Sequence, residues 1–253
     1  PPTADPLQSA SSAAAVALSA QAQAVEPPRD DLPEVPPDPR ERTLAELSTV
    51  LLSQKNTLKK PIDDALSAAA FPVYLETLDG GKLLLLEEHV DKLRAYEKFM
   101  DDELLSGNLV LARKGAALVN RRRQHVKGVI ADILSKPFDL EAGGKAETDP
   151  KKRAFCKTEA ELTERWRAVL KLQAFDRLLQ MEELLAAQDK QKLDAAAKRT
   201  LESIPKTPQE REEKVRKDLA TQYEARFTRL ASTEPLEPAE LFINAVASVY
   251  DPH

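Results

Sequence analysis

With one cysteine in 253 residues, Cys156, the chain cannot close an intramolecular disulfide. Cysteine usage therefore suits a reducing or an oxidising compartment equally. Beside Phe155, that thiol reads as a small packing residue rather than a nucleophile. Glycine is scarce at 7 residues, and β-branched runs are nearly missing. The first shortage leaves no glycine-rich loop to cradle phosphate. The second argues against a sheet protein. No apolar run reaches the roughly 20 residues that a membrane-spanning helix needs. A net charge of −5, from 37 basic and 42 acidic residues, lacks the positive excess of a dedicated nucleic-acid binder.

What is abundant is Ala, Leu, Glu, Lys, Arg and Gln, side chains that lose little freedom in a helix. The composition points to an all-α protein, and the periodicity traced below to an irregular multi-helix domain of about eight helices. The first forty residues stand apart, with nine of the 18 prolines and no aromatic side chain. They are expected to be disordered, and Pro27 to Pro39 to form an extended linker. Within residues 1–24, an alanine-rich apolar stretch ends in Ala22-Gln23-Ala24, a pattern similar to the end of a secretory signal peptide. The other reading is an alanine-rich disordered tail, since no Lys or Arg precedes Arg29.

From residue 41 to 253 helical periodicity takes over. Leu44, Leu47, Leu51 and Leu58 begin an inward stripe, and Pro61 reads as the first residue of the next helix. Residues 71–86 carry the weakest helical signal and leave room for a short strand, with a turn at Asp79-Gly80-Gly81 in which glycine supplies positive φ. Val90, Leu93, Tyr96, Met100 and Leu104 mark a helix that Gly107 stops. Leu111, Leu118, Val119, Val126, Ile130 and Ile133 face inward from a long helix ended by Pro137, and residues 139–157 read as an exposed loop. Thr158-Glu159-Ala160-Glu161 is a capping-box sequence, opening a helix that buries Leu162, Trp166, Val169, Leu172, Phe175 and Leu179. Thr207-Pro208-Gln209-Glu210 repeats the device ahead of Val215, Leu219, Tyr223, Phe227 and Leu230. Glu237-Pro238 opens a last helix with Leu241, Ala245 and Val249 inward and Phe242 and Val246 widening the stripe.

A search for chemistry returns no catalytic, cofactor-binding or metal-binding residue. There is no nucleophile elbow, phosphate loop or H-E-x-x-H. The histidines are His89, His125 and His253. His89 follows Glu87-Glu88, but no second histidine lies at helical spacing to complete a metal site. His125 trails Arg121-Arg122-Arg123, a cluster that reads as a solvated helix face, as Lys151-Lys152-Arg153 reads as a charged loop. Asp63-Asp64 and Asp101-Asp102 are adjacent pairs that diverge by about 100° on a helix, so they read as surface or helix-start charges rather than a converging acid–base pair.

Taken in order, several segments resemble one family. Tyr74-Leu75-Glu76-Thr77-Leu78-Asp79 with Lys82-Leu83 looks like the "YL..LD..K..L" segment of tail-specific (carboxy-terminal processing) serine proteases. Asp91 with Leu104 to Gly107 resembles the helix and stop that follow. Leu134 to Asp139 resembles "L.KPFDF", Glu159 to Trp166 "EAEL..LW", Arg226 to Leu230 "RRL", and Asp251-Pro252-His253 the closing "DPH". The chain departs from the family at 152–157, where an "APW" stretch is usual, and in a longer, more charged link between Gln180 and Pro208.

The resemblance covers roughly residues 60–253 and implies the helical N-terminal domain of such an enzyme. In that family a PDZ domain and a protease domain with a Ser–Lys dyad follow, and both are expected to lie outside this chain. Its implied role is a non-catalytic scaffold in the periplasm of a Gram-negative cell, helping to form the substrate chamber. The implied partners are the enzyme's own PDZ and protease domains, protein substrates and an adaptor lipoprotein. The alternatives are a free-standing helical interaction module and a metal-dependent helical enzyme using Glu88 and His89.

Overall fold

The computed structural model describes residues 30–55, 61–141, 147–187, 195–231 and 234–250. Among them are eight α-helices of eight residues or more, one of seven, two 3-10 turns and no β-strand. The chain divides into two compact units, residues 1–121 with 233–253 and residues 122–232.

The first described segment of this unit, residues 30–38, has no regular secondary structure and bends at Leu32. Disorder was expected through residue 40; residues 1–29, with the alanine-rich stretch, lie outside the described residues, while residues 30–40 dock on the unit and Leu32 is buried. Helix α1 (Pro39–Lys55) follows. Its inward face is Glu41, Ala45 and Thr49, while Leu47 and Leu51 are 58% and 54% exposed, contrary to the expected leucine stripe. The helix also passes close to Gly107, where a Cβ would sit 2.8 Å from Arg42 Cγ. Leu58 lies outside the described residues.

Helix α2 (Asp64–Asp79) starts three residues after Pro61, because Asp63 caps it by accepting the amides of Ala65 and Leu66. It runs through the stretch that left room for a strand, Pro72 included. Pro72 and Ala68, whose carbonyl loses its partner, are both exposed, so water replaces the missing bond. Buried Leu66, Ala70, Phe71, Tyr74, Leu75 and Leu78 supply the burial that outweighs the proline. The following turn is held by Asp79, whose carboxylate accepts the amides of Leu83, Leu84 and Leu85 at 3.0, 2.9 and 2.8 Å. Positive φ falls on Lys82 (51°), not on glycine, and those bonds offset a strain of about 1 kcal/mol.

The single helix expected across 90–104 is broken into α3 (Glu87–Arg94), a 3-10 turn (Glu97–Phe99) and α4 (Met100–Ser106), although all five marked side chains are buried. Gly107 ends it at φ 70°. Helix α5 (Val110–Leu134) contributes its first twelve residues to this unit, with Leu111 and Leu118 inward. The last helix, named α9 (Glu237–Tyr250) for its place in the chain, packs on α2 and α1. Phe242 meets Tyr74 edge to face at 5.9 Å. The buried stripe of α9 centres on Phe242 and Val246, with Leu241 and Val249 only half buried.

The second unit holds the remainder of α5, a 3-10 turn (Pro150–Lys152), α6 (Glu159–Ala186), α7 (Ala195–Glu202) and α8 (Pro208–Ala231). Both capping sequences act as read. Thr158 accepts the Glu161 amide at 3.2 Å, and Glu161 reaches back to the Lys157 amide. Thr207 and Glu210 exchange the full pair of bonds. Helix α6 packs on α8, where Trp166 stands edge to face against Tyr223 at 5.6 Å. The Lys136-Pro137-Phe138 corner is tied down by α8: Glu212 accepts the Phe138 amide, and Arg216 bonds both Glu212 and the Leu134 carbonyl.

Candidate functional site

The side chains that could do chemistry are occupied with structure. His89 is buried at the start of α3, where its Nδ1 accepts the Leu86 amide at 3.1 Å, so it serves as a helix cap. The third reading, a metal site on Glu88 and His89, finds only a 3.7 Å approach between them. Among the described residues no cluster of three His, Cys, Asp or Glu side chains has metal-binding geometry. His125 lies 3.1 Å from Glu159 on the surface of the second unit. Cys156 is buried, in keeping with a packing role. His253 lies outside the described residues.

The acidic pairs do not converge on a shared point. Asp63 caps α2, whereas Asp101 is buried, contrary to the surface reading. The Ser67 hydroxyl donates to the Asp101 carboxylate and accepts the Asp101 amide at 2.8 Å. Asp102 is shifted upward by burial, then by the charges of Asp101 and Asp64. The arginine cluster is likewise only partly a solvated face: Arg122 is buried and forms a two-pronged pair with Glu159, whose bond holds that carboxyl below its usual range.

Other charges that the sequence offered no reason to bury form a polar cluster in the first unit. Glu103 points both carboxylate oxygens at the Leu111 amide, at 3.1 and 2.9 Å. Burial pushes it up to about 8, against that bond and the charges of Arg113 and Lys114. Arg113 pairs with buried Glu41 at 2.7 Å. Lys114 donates to Asp30 at 2.7 Å, and the Tyr96 hydroxyl bonds the same carboxylate. Burial would raise Asp30, but these bonds outweigh it and hold the carboxyl low; burial likewise pushes Tyr96 up to about 12. No local signal could have found these groups, because the partners of Glu41 and Asp30 lie 72 and 84 positions away. Each is satisfied by a neighbour, so the cluster stabilises the fold.

What is left over is apolar. The α6 stripe follows the sequence reading through Leu162 and Trp166, then turns inward through Leu170 and Ala174. Leu172, Phe175 and Leu179, expected in the core, are 39%, 51% and 48% exposed. Four-residue steps from Trp166 keep the buried line against α8. Leu172, Phe175 and Leu179, at spacings of three and four, form their own line of about 10 Å on another face. Leu230 of α8, also expected inward, is 38% exposed. Between α5 and α8 of the same unit lies a cleft of about 490 Å³, lined by Ile130, Ala131, Ala220, Tyr223 and Phe227, with Lys127 and Glu224 paired at 2.6 Å on its border. Such a surface can hold apolar polypeptide, and the charged pair at its border is engaged with itself.

The family model described as the tail specific protease N-terminal domain matches residues 48–253. A tail-specific protease of Haemophilus influenzae is 26% identical over 207 residues, covering 81% of this chain. The chain spans about a quarter of the length of that relative, 26% of it.

Proposed function

The chain belongs to the tail-specific protease N-terminal domain family, and from that premise we propose that it is a non-catalytic scaffold that receives protein substrates for a serine protease. In this reading a PDZ domain and a Ser–Lys protease domain complete the enzyme, with the lysine as general base for the serine. The enzyme works in the periplasm and attacks proteins from their C-terminal tails. The helical domain helps to wall the substrate chamber, and it docks substrate or an adaptor lipoprotein.

The observation that carries the proposal is the uncovered line of Leu172, Phe175 and Leu179 on a protein whose titratable clusters are occupied internally. Contiguous exposed apolar surface marks an interaction site. Apolar contacts without fixed hydrogen-bond partners suit unfolded segments of varied sequence. Holding such a segment raises its effective concentration at a distant active site.

The test compares the whole enzyme with a version carrying Leu172→Ser, Phe175→Ser and Leu179→Ser. Turnover of a short peptide should be unchanged, while degradation of an unfolded protein falls about tenfold or more, as expected when tethering is lost. Equal losses on both substrates, or none on either, would defeat the proposal. Added alone to the same protein, this chain should leave it intact.

A further inference from the structure

The segment at residues 30–38 is neither helix nor strand, yet two of its side chains are sunk into the first unit. Leu32 is 4% exposed. The Asp30 side chain is 7% exposed, its carboxylate shared between Lys114 and the Tyr96 hydroxyl. Asp31 pairs with Lys92 of α3 at 2.9 Å. Arg113 donates to the Val35 carbonyl at 3.1 Å. The remaining positions, Glu34 to Pro37, are exposed.

This is the layout of a bound peptide. An irregular chain, bent at Leu32 where the amide turns back to the Asp30 carboxylate at 2.9 Å, is held by one apolar anchor, two acidic anchors and one carbonyl, against a floor carrying Lys92, Arg113 and Lys114. Recognition in this mode uses side-chain pockets and charge complementarity, and the connection to α1 is not itself one of the contacts.

We propose that this floor is a recognition site for polypeptide segments in which two acidic residues precede an aliphatic one, and that residues 30–35 occupy it in cis. The site is distinct from the α6 line and stands whether or not the chain serves a protease. The cis segment reaches its floor through a short connection, so its effective concentration is high. A foreign segment therefore binds only to the fraction of molecules in which the cis segment has lifted, and its apparent affinity is reduced by that fraction.

The experiment uses the full chain and a fluorescein-labelled peptide of residues 30–38, Asp-Asp-Leu-Pro-Glu-Val-Pro-Pro-Asp, followed by anisotropy. Asp30→Ala with Leu32→Ala loosens the cis segment and leaves the floor intact. That variant should bind the peptide at least about tenfold more tightly than the unaltered chain, the open fraction being the difference. Adding Lys114→Glu to it should abolish binding, and raising salt should weaken it. Should the double variant lose helical circular dichroism, Asp31→Ala replaces it. Its side chain is 74% exposed, so the core is untouched, and a gain of about threefold is expected. No gain in either folded variant, or binding that survives Lys114→Glu, would overturn the proposal. A dimer of the unaltered chain that dissociates on Asp30→Ala with Leu32→Ala would also overturn it, since a second copy's segment would then be the occupant.

Discussion

Replacing Glu103 by glutamine should make the protein more stable at high pH and leave it unchanged at low pH. The carboxyl is buried at the start of α5 and raised from 4.5 to about 8. The folded state therefore holds its proton over a range in which the unfolded chain has released it. Stability from this group is fully present below pH 4.5 and is lost as pH rises through 8. At about 1.4 kcal/mol per pH unit the span corresponds to roughly 5 kcal/mol, and relaxation with water entry reduces this to on the order of 2–4 kcal/mol. Glutamine keeps an oxygen for the Leu111 amide and never ionises. Urea unfolding of both proteins at intervals from pH 4 to pH 9 measures the difference. It should be near zero at pH 4 and grow to on the order of 2–4 kcal/mol in favour of Gln by pH 9. Lys114 faces the same region and remains charged across the range, since its bonds to Asp30 and Tyr96 outweigh burial and raise it. A flat difference, or a wild type that is the more stable at pH 9, would show that Glu103 is ionised and held by the helix start, and the argument would fail.

Three further substitutions probe packing and turns. Trp166→Ala should cost roughly 3–5 kcal/mol in denaturant unfolding, as large aromatic truncations do, because the indole is 4% exposed and packed edge to face against Tyr223. Gly115→Ala should destabilise by about 1–3 kcal/mol despite better helix propensity, since the new Cβ would lie 2.4 Å from the Tyr74 hydroxyl; a rise in Tm would contradict the close approach. Asp79→Ala strips three amides of their acceptor, should cost roughly 2–4 kcal/mol, and should speed amide exchange at Leu83 to Leu85.

The sequence by itself determined the fold class, both capping boxes, the Gly107 stop and the inward face of α5, because each is local: propensity, a side chain three residues from an amide, a fixed helical period. It also carried the family, through short motifs whose order outlasts 26% identity. Their structural duties became visible only afterwards, as with Asp79 on three amides and Lys136-Pro137-Phe138 pinned by Glu212 and Arg216. Periodicity says that a helix has an apolar stripe, but a helix richer in apolar residues than one neighbour can cover leaves the choice of stripe to the partner. Thus Ala45 faces inward and Leu47 outward, and Ala174 is buried while Phe175 is not. Burial of Glu103, and the docking of Asp30 on Lys114, depend on groups brought together across the chain. Whether a carboxyl is solvated or enclosed is a property of that assembled surrounding, so only the tertiary structure decided it.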